Sequence, residues 1–145
     1  MIKNTSLKNK NVLITGGAGF IGSELTKQAL SLGANVSVVD NLVNGKKSNL
    51  NLDDKNLMFY EEDIRNQQVM QNLISKSDYV FNLACLGVRH SIHSPIESHS
   101  VNADATLNLL KISRETDIKK FVHISTSEVY GTAKYVPMTE EHPTA

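Results

Sequence analysis

The stretch "LITGGAGFIG", Leu13 to Gly22, constrains this chain more than any other part of it. It holds two overlapping glycine patterns, Gly16-x-x-Gly19-x-x-Gly22 and Gly17-x-Gly19-x-x-Gly22. A glycine pattern alone suits any tight turn, so its neighbours decide its meaning. Before it, Val12 to Thr15 is a short apolar and β-branched run, which predicts a strand buried on both faces. After it, Phe20, Ile21, Leu25, Ala29, Leu30 and Leu32 recur at helical spacing, and Gly33 can end that helix in a left-handed conformation. Early glycines let the backbone turn without a Cβ in the way, and the later one lets helix and strand approach closely. Free N–H groups at the helix start then face an anion.

The second strand candidate, "NVSVVD", ends on Asp40. A strand, a glycine turn, a helix and then a strand-end acid together predict a dinucleotide site, with a purely structural turn as the alternative. The diphosphate would lie on the helix amides, and Asp40 would accept from both hydroxyls of the adenosine ribose. A 2′-phosphate there would meet like charge, so NAD is expected rather than NADP. Asn41 and Leu42 put no arginine beside Asp40, although Lys46 and Lys47 follow.

Further on, "NLVNGKKSNLNLDDKN" is polar and predicts a loop with at most one ragged turn. Leu57 to Tyr60 predicts a third strand, Val69 to Ile74 a short helix, and "DYVFNLA" a fourth strand. Val101, Ala105, Leu109 and Ile112 form the stripe of a long helix over about Ile96 to Thr116. Phe121 to Ser125 predicts a fifth strand, with irregular chain after Tyr130. Alternation of this kind predicts right-handed βαβ units in an α/β fold. The expected architecture is a Rossmann-type doubly wound parallel sheet, order 3-2-1-4-5, truncated before the remaining strands. Residues 1–9 are expected to be a flexible lead-in and residues 10–145 one NAD-binding domain.

The 145 residues, 40% of them apolar, suffice for one core. Fifteen basic and fifteen acidic residues balance without long blocks, which argues against nucleic acid and anionic membrane as partners. No apolar run approaches the length of a membrane span, and no secretory leader is evident. Cys85 stands alone, so no disulfide framework is expected, and a cytoplasmic setting follows. His90, His93 and His99 lie close in sequence but lack the convergent ligands of a metal site, and none is assigned.

"TGGAGFIGS", "DNL", "DIR", "NLAC", "GVRHS", "VNADAT" and "STSEVYG" occur in that order. Together they resemble the extended short-chain dehydrogenase/reductase family, in particular its NAD-dependent nucleotide-sugar epimerases and dehydratases. The resemblance implies that Gly16, Gly19, Phe20, Ile21 and Gly22 hold the cofactor, with Asp40 and Asn41 on the ribose side. It also implies that Asp63 bonds the adenine amine beside Ile64, that Leu83 and Ala84 line the cofactor, and that Asn102 lies near the site. Read from the residues alone, Asp63 can equally cap the helix starting near Asn66, and Arg89 is either a substrate ligand or a solvated cation. Ala105 replaces a glycine usual in the family, an exchange expected to be tolerated in a helix. Cys85 replaces a common alanine and is read as packing.

The resemblance assigns the fifth strand end to chemistry. Ser125 would contact substrate, Thr126 would bond the sugar's 4-oxygen, and Ser127 and Glu128 would complete a catalytic set for hydride removal and return at sugar C4. Because Glu128 can act as a base at C5, a 4,6-dehydratase is slightly favoured; the alternatives are a UDP-sugar 4-epimerase, a UDP-glucuronate decarboxylase, or an NAD-binding module without catalysis. Relatives also need a Tyr-x-x-x-Lys pair on the helix after this strand. Tyr130 belongs to the strand-end motif, so the pair and the substrate-binding C-terminal region are expected beyond Ala145, and this chain alone is expected to be inactive. The full-length form is expected to be a homodimer acting on a nucleotide sugar, with a partner chain or C-terminal segment completing the sheet.

Overall fold

Asn11–Thr15 forms the central strand, β1, and only its first residue is exposed. It is flanked by β2 (Asn35–Val39) and β4 (Tyr79–Asn82), with β3 (Leu57–Tyr60) and β5 (Lys120–His123) at the edges. All four pairings are parallel, and the order is β3-β2-β1-β4-β5. The computed structural model describes residues 7–144. The fold is therefore the predicted Rossmann-type doubly wound sheet.

Side chains of a strand alternate between faces, and β1 feeds one core on each side. Val12 and Ile14, with Val36 and Val38, pack on Ala29 and Ala34 of the first helical layer, α1 (Phe20–Ser31) and its exit. Leu13, with Val39 and Val80, packs on Met70, Leu73 and Ile74 of α2 (Gln67–Ile74) and on Val101 and Leu109. Asn66 caps α2, accepting from the Val69 amide at 3.3 Å. That leaves no helix-capping duty for Asp63.

Four elements depart from the expected outline. The fifth strand ends at His123, so Ser125 to Glu128 lie in the turn beyond it, and Ser127–Tyr130 forms a 3-10 turn. The segment holding "GVRHS" is not a plain loop: Val88–His93 is a short helix, α3, followed by α4 (Pro95–His99), with Pro95 in its first turn. The long helix continues from α4 through a π-helical turn, Ser100–Ala105, into α5 (Thr106–Arg114). Phe20 and Ile21, placed on the core stripe of α1 by periodicity, are 95% and 64% exposed. Gly22, Thr26 and Ala29 supply the buried face instead.

Of the expected lead-in, residues 1–6 lie outside the described residues. Leu7 and Asn9 donate backbone hydrogen bonds to Leu32 and Gly33 at 3.1 and 2.9 Å, which seats residues 7–9 against the end of α1. β5 pairs only with β4 among the described residues, leaving its other edge open there.

Leu109 is fully buried between the sheet and α2. Leu109→Ala is expected to cost about 2–5 kcal/mol of stability. Urea unfolding should show a lower midpoint with an unchanged slope.

Candidate active site cleft

The strand order reverses beside β1, so the loops leaving β1 and β4 diverge and open a crevice at the carboxyl ends of the strands. That crevice is a cleft of about 720 Å³. Its floor is the glycine turn. Gly16 has φ +68, and a Cβ there would sit 2.8 Å from the Ala84 amide nitrogen, so only glycine lets β1 and the loop after β4 come together. A Cβ on Gly22 would overlap the Gly16 carbonyl oxygen. Gly19 caps α1 without a side-chain acceptor, and the first turn carries no acid. The helix amides thus face the cleft with no internal anion to compete for them. Phe20 and Ile21 line the same mouth.

Asp40 stands at the end of β2, 7% exposed. Its Oδ2 accepts from the Ala18 amide at 2.9 Å and its Oδ1 from the Leu42 amide at 2.8 Å. Leu42 adopts φ +61 to turn that amide back. A carboxylate offers about four acceptor positions, so two remain for donors in the cleft. Of the two lysines that follow Asp40, Lys47 pairs with Glu61 at 2.5 Å and lies over the Phe59 ring.

Asp63 lines the cleft beside Ile64. Its carboxylate takes the Arg65 guanidinium in two bonds of 2.9 and 2.8 Å, the Arg65 amide at 2.8 Å and the Asn41 side-chain amide at 2.9 Å. Those four donors fill its acceptor capacity in this conformation. The Arg65 side chain, opposed by partial burial and assisted by the Arg65 and Asn41 amides, holds the Asp63 pKa down to about 2. Arg65 also approaches Glu97 at 3.9 Å, and the Glu97 carboxylate lies 2.9 Å from His90 Nε2. This chain of contacts joins the β2 and β3 ends to α3 and α4.

Beyond β4, Leu83 and Ala84 line the cleft with Cys85 and Leu86. Their amides donate to the Thr15 hydroxyl, both at 3.2 Å. Thr15 in turn donates to Asn82 at 2.6 Å, and the Asn82 amide reaches Thr106 and His123. Thr15, Asn82 and His123 are register partners across β1, β4 and β5. Thr15 and Asn82 were not singled out from sequence; the signal available was a polar residue closing each of two otherwise apolar strands. Asn102 does not line the cleft. Both ends of its amide bond the Leu86 backbone at 2.8 Å, so it fixes the loop that does.

Arg89 lines the cleft from α3, and Ser125 and Thr126 line it from the turn after β5. Thr126 Oγ1 accepts from the Glu128 amide at 3.3 Å. Ser127 and Glu128 are exposed and lie outside the lining, so the expected catalytic set is only partly brought together. Tyr130 and Lys134 do have the letter spacing Tyr-x-x-x-Lys, but no helix carries them: Gly131, at φ +62, breaks the backbone between them. Tyr130 instead packs edge-on against His142, whose Nε2 accepts from the Lys134 amide. Among the described residues no group of His, Cys, Asp and Glu converges as a metal site, and no helix is long and apolar enough to cross a membrane.

A parallel sheet in this order, with a cleft at its switch point, defines the doubly wound nucleotide-binding class of proteins. The family described as GDP-mannose 4,6 dehydratase matches residues 13–145. A UDP-glucose 4-epimerase of Drosophila melanogaster is 36% identical over 92% of this chain and 42% of its own length. Among solved structures, a UDP-N-acetylglucosamine 4-epimerase from Methanobrevibacter ruminantium, in complex with UDP-N-acetylmuramic acid, aligns with TM-score 0.87 at 36% identity, over 95% of this chain and 44% of that one. A UDP-glucose 4-epimerase from Bifidobacterium longum, in complex with NAD+ and UDP, aligns with TM-score 0.83 at 35% identity, over 93% and 42%. The chain belongs to the extended short-chain dehydrogenase/reductase family of NAD-dependent nucleotide-sugar epimerases and dehydratases. It spans less than half the length of these relatives.

Because Asp63 is depressed from 3.8 to about 2, it contributes stability above the higher value that is lost as pH falls through that window. Arg65→Ala should return the Asp63 titration, followed by carboxyl NMR shifts, toward 3.8 and shrink the acid-side loss of stability.

Proposed function

We propose that this chain is the NAD-binding part of a nucleotide-sugar 4-epimerase. The observation that carries the reading is Asp40, a buried carboxylate held by two backbone amides with acceptor capacity left toward the cleft. Its spare lone pairs suit the two hydroxyls of an adenosine ribose, and its charge opposes a 2′-phosphate. The glycine cradle and the first turn of α1 fit a diphosphate, since any Cβ at Gly16 or Gly22 would meet backbone. Leu83 and Ala84 offer an apolar, backbone-pinned wall for the far end of the cofactor. Bound NAD would supply the hydride acceptor and donor at sugar C4.

Thr126 faces the place where the sugar would lie. Its oxygen accepts from the Glu128 amide, which leaves the hydroxyl proton to be donated to the sugar's 4-oxygen. Arg89 would neutralise part of the substrate diphosphate, and Ser125 would add a polar contact. A 4,6-dehydratase additionally needs a base at C5, and Glu128 stands outside the cleft. The 4-epimerases named among the relatives point the same way, so epimerisation replaces dehydration as the preferred reaction, and a UDP-hexose as the preferred substrate. With Tyr130 and Lys134 on no common helix, the chain by itself binds NAD without turnover.

Calorimetric titration of this chain should show NAD binding more tightly than NADP by about tenfold or more, a difference of about 1.4 kcal/mol. Asp40→Ala should narrow that gap, and a wild type preferring NADP would end the assignment. In the longer protein containing this sequence, UDP-glucose and UDP-galactose should interconvert, with no 4-keto-6-deoxy sugar accumulating. Glu128→Gln should leave that rate within about threefold, because no group on the reaction path is removed; a loss of a hundredfold would restore Glu128 as a base.

A further inference from the structure

We infer that Asn49 is a positioning residue for Asp40, acting through the main chain of Ala18 and setting the preference between NAD and NADP. The inference rests on the reading of Asp40 as the ribose ligand. Ala18, fully buried in the middle of the glycine turn, has both of its polar main-chain groups committed. Its N–H donates to Asp40 Oδ2 at 2.9 Å. Its carbonyl accepts from the Asn49 side-chain amide at 2.8 Å and from the Lys46 amide at 3.1 Å.

Asn49 closes the 3-10 turn Lys47–Asn49, on the loop that follows Asp40, and does not line the cleft. Its side-chain amide crosses to the glycine turn. The loop thus grips Ala18 from one side while Asp40 grips it from the other. Without the Asn49 donor, a buried carbonyl loses one of two partners and the Ala18 residue is freer to rotate. The Asp40 carboxylate then loses the fixed donor that directs Oδ2, and with it the fixed direction of its spare lone pairs. Recognition of two ribose hydroxyls at once needs that direction. Repulsion of a 2′-phosphate needs the charge to stay close. Both should weaken together, and NAD preference should fall more than cofactor affinity in general.

The test is a cycle of four proteins on this chain: wild type, Asn49→Ala, Asp40→Ala and the double variant, each titrated with NAD and with NADP. Asn49→Ala should raise the Kd for NAD about fivefold, the worth of one ordinary hydrogen bond, while the Kd for NADP moves less than about twofold. In the Asp40→Ala background the same change should have almost no effect on NAD. Amide exchange should quicken at Ala18 in Asn49→Ala but not at Leu13 or Ile14 of β1. Equal weakening of both cofactors, or an undiminished effect in the Asp40→Ala background, would overturn the inference by showing a merely structural role. Unchanged exchange at Ala18 would overturn it too. If Asn49→Ala does not fold, Asn49→Ser is scored by the same ratio and the same exchange. Should the wild type bind neither cofactor, the ribose reading of Asp40 fails, whereas the exchange experiment still judges the Asn49, Ala18 and Asp40 linkage alone.

Discussion

A carboxylate removed from water is costly unless its oxygens are hydrogen-bonded. Asp40 meets that condition by tying the end of β2 to the turn that leaves β1, through the Ala18 amide, and to its own loop, through the Leu42 amide. The glycine turn and Asp40 are therefore one piece of structure. Displace the turn and the acid loses its donor; remove the acid and the Ala18 amide is left buried without an acceptor. The shape of the cleft follows from this mutual dependence. The two strands are also in register up to Thr15 and Val39, which brings their ends level before the turn begins.

The other half of the cleft rests on a polar row. Thr15, Asn82 and His123 occupy partnered positions on β1, β4 and β5, and the buried hydroxyl of Thr15 receives the Leu83 and Ala84 amides. The Leu83 amide also reaches the Thr15 carbonyl oxygen at 3.2 Å, whereas the Ala84 amide lies one step past the strand pairing and is satisfied by the Thr15 hydroxyl. Asn102 does the same for Leu86 one step along the loop. The cleft wall presents apolar side chains, but side chains behind it set its position. Residues expected to touch a cofactor can therefore act from one layer back, as Asn102 does.

Strands and their order were legible because each is a short apolar run between polar turns, and parallel βαβ connections leave few arrangements. The glycine turn and Asp40 were legible for the same reason: backbone geometry demands those residue types at those places. Legibility failed where the pattern was ambiguous. Phe20 and Ile21 fit a helical stripe yet point into the cleft, because the first turn of a helix leaving a sheet edge projects past the core. "GVRHS" lacks the periodicity to predict a helix, and Pro95 hides the boundary where α3 gives way to α4. Asn49 gave no signal, since a polar residue in a polar loop is ordinary until its amide is seen to reach Ala18. The pairing of Tyr130 with Lys134 is the reverse case: the letters fit and the backbone does not.

Under the proposed reading, placement of the fifth strand end bears on the choice between epimerisation and dehydration. Interconverting two sugars at C4 requires one hydroxyl proton to leave and return with the hydride, so one well-aimed hydroxyl and its relay can serve. Eliminating water across C5 and C6 requires a second proton to be taken from carbon and a hydroxide to be expelled, and so a second titratable group within reach. β5 stops at His123, and the chain beyond turns at Thr126, whose hydroxyl oxygen holds the amide of Glu128. That short turn points Thr126 at the cleft and carries Glu128 past it. Had the strand continued to Ser125 in regular alternation, the side chains of Thr126 and Glu128 would share a face. A turn begun two residues earlier leaves Thr126 in the cleft lining and Glu128 outside it.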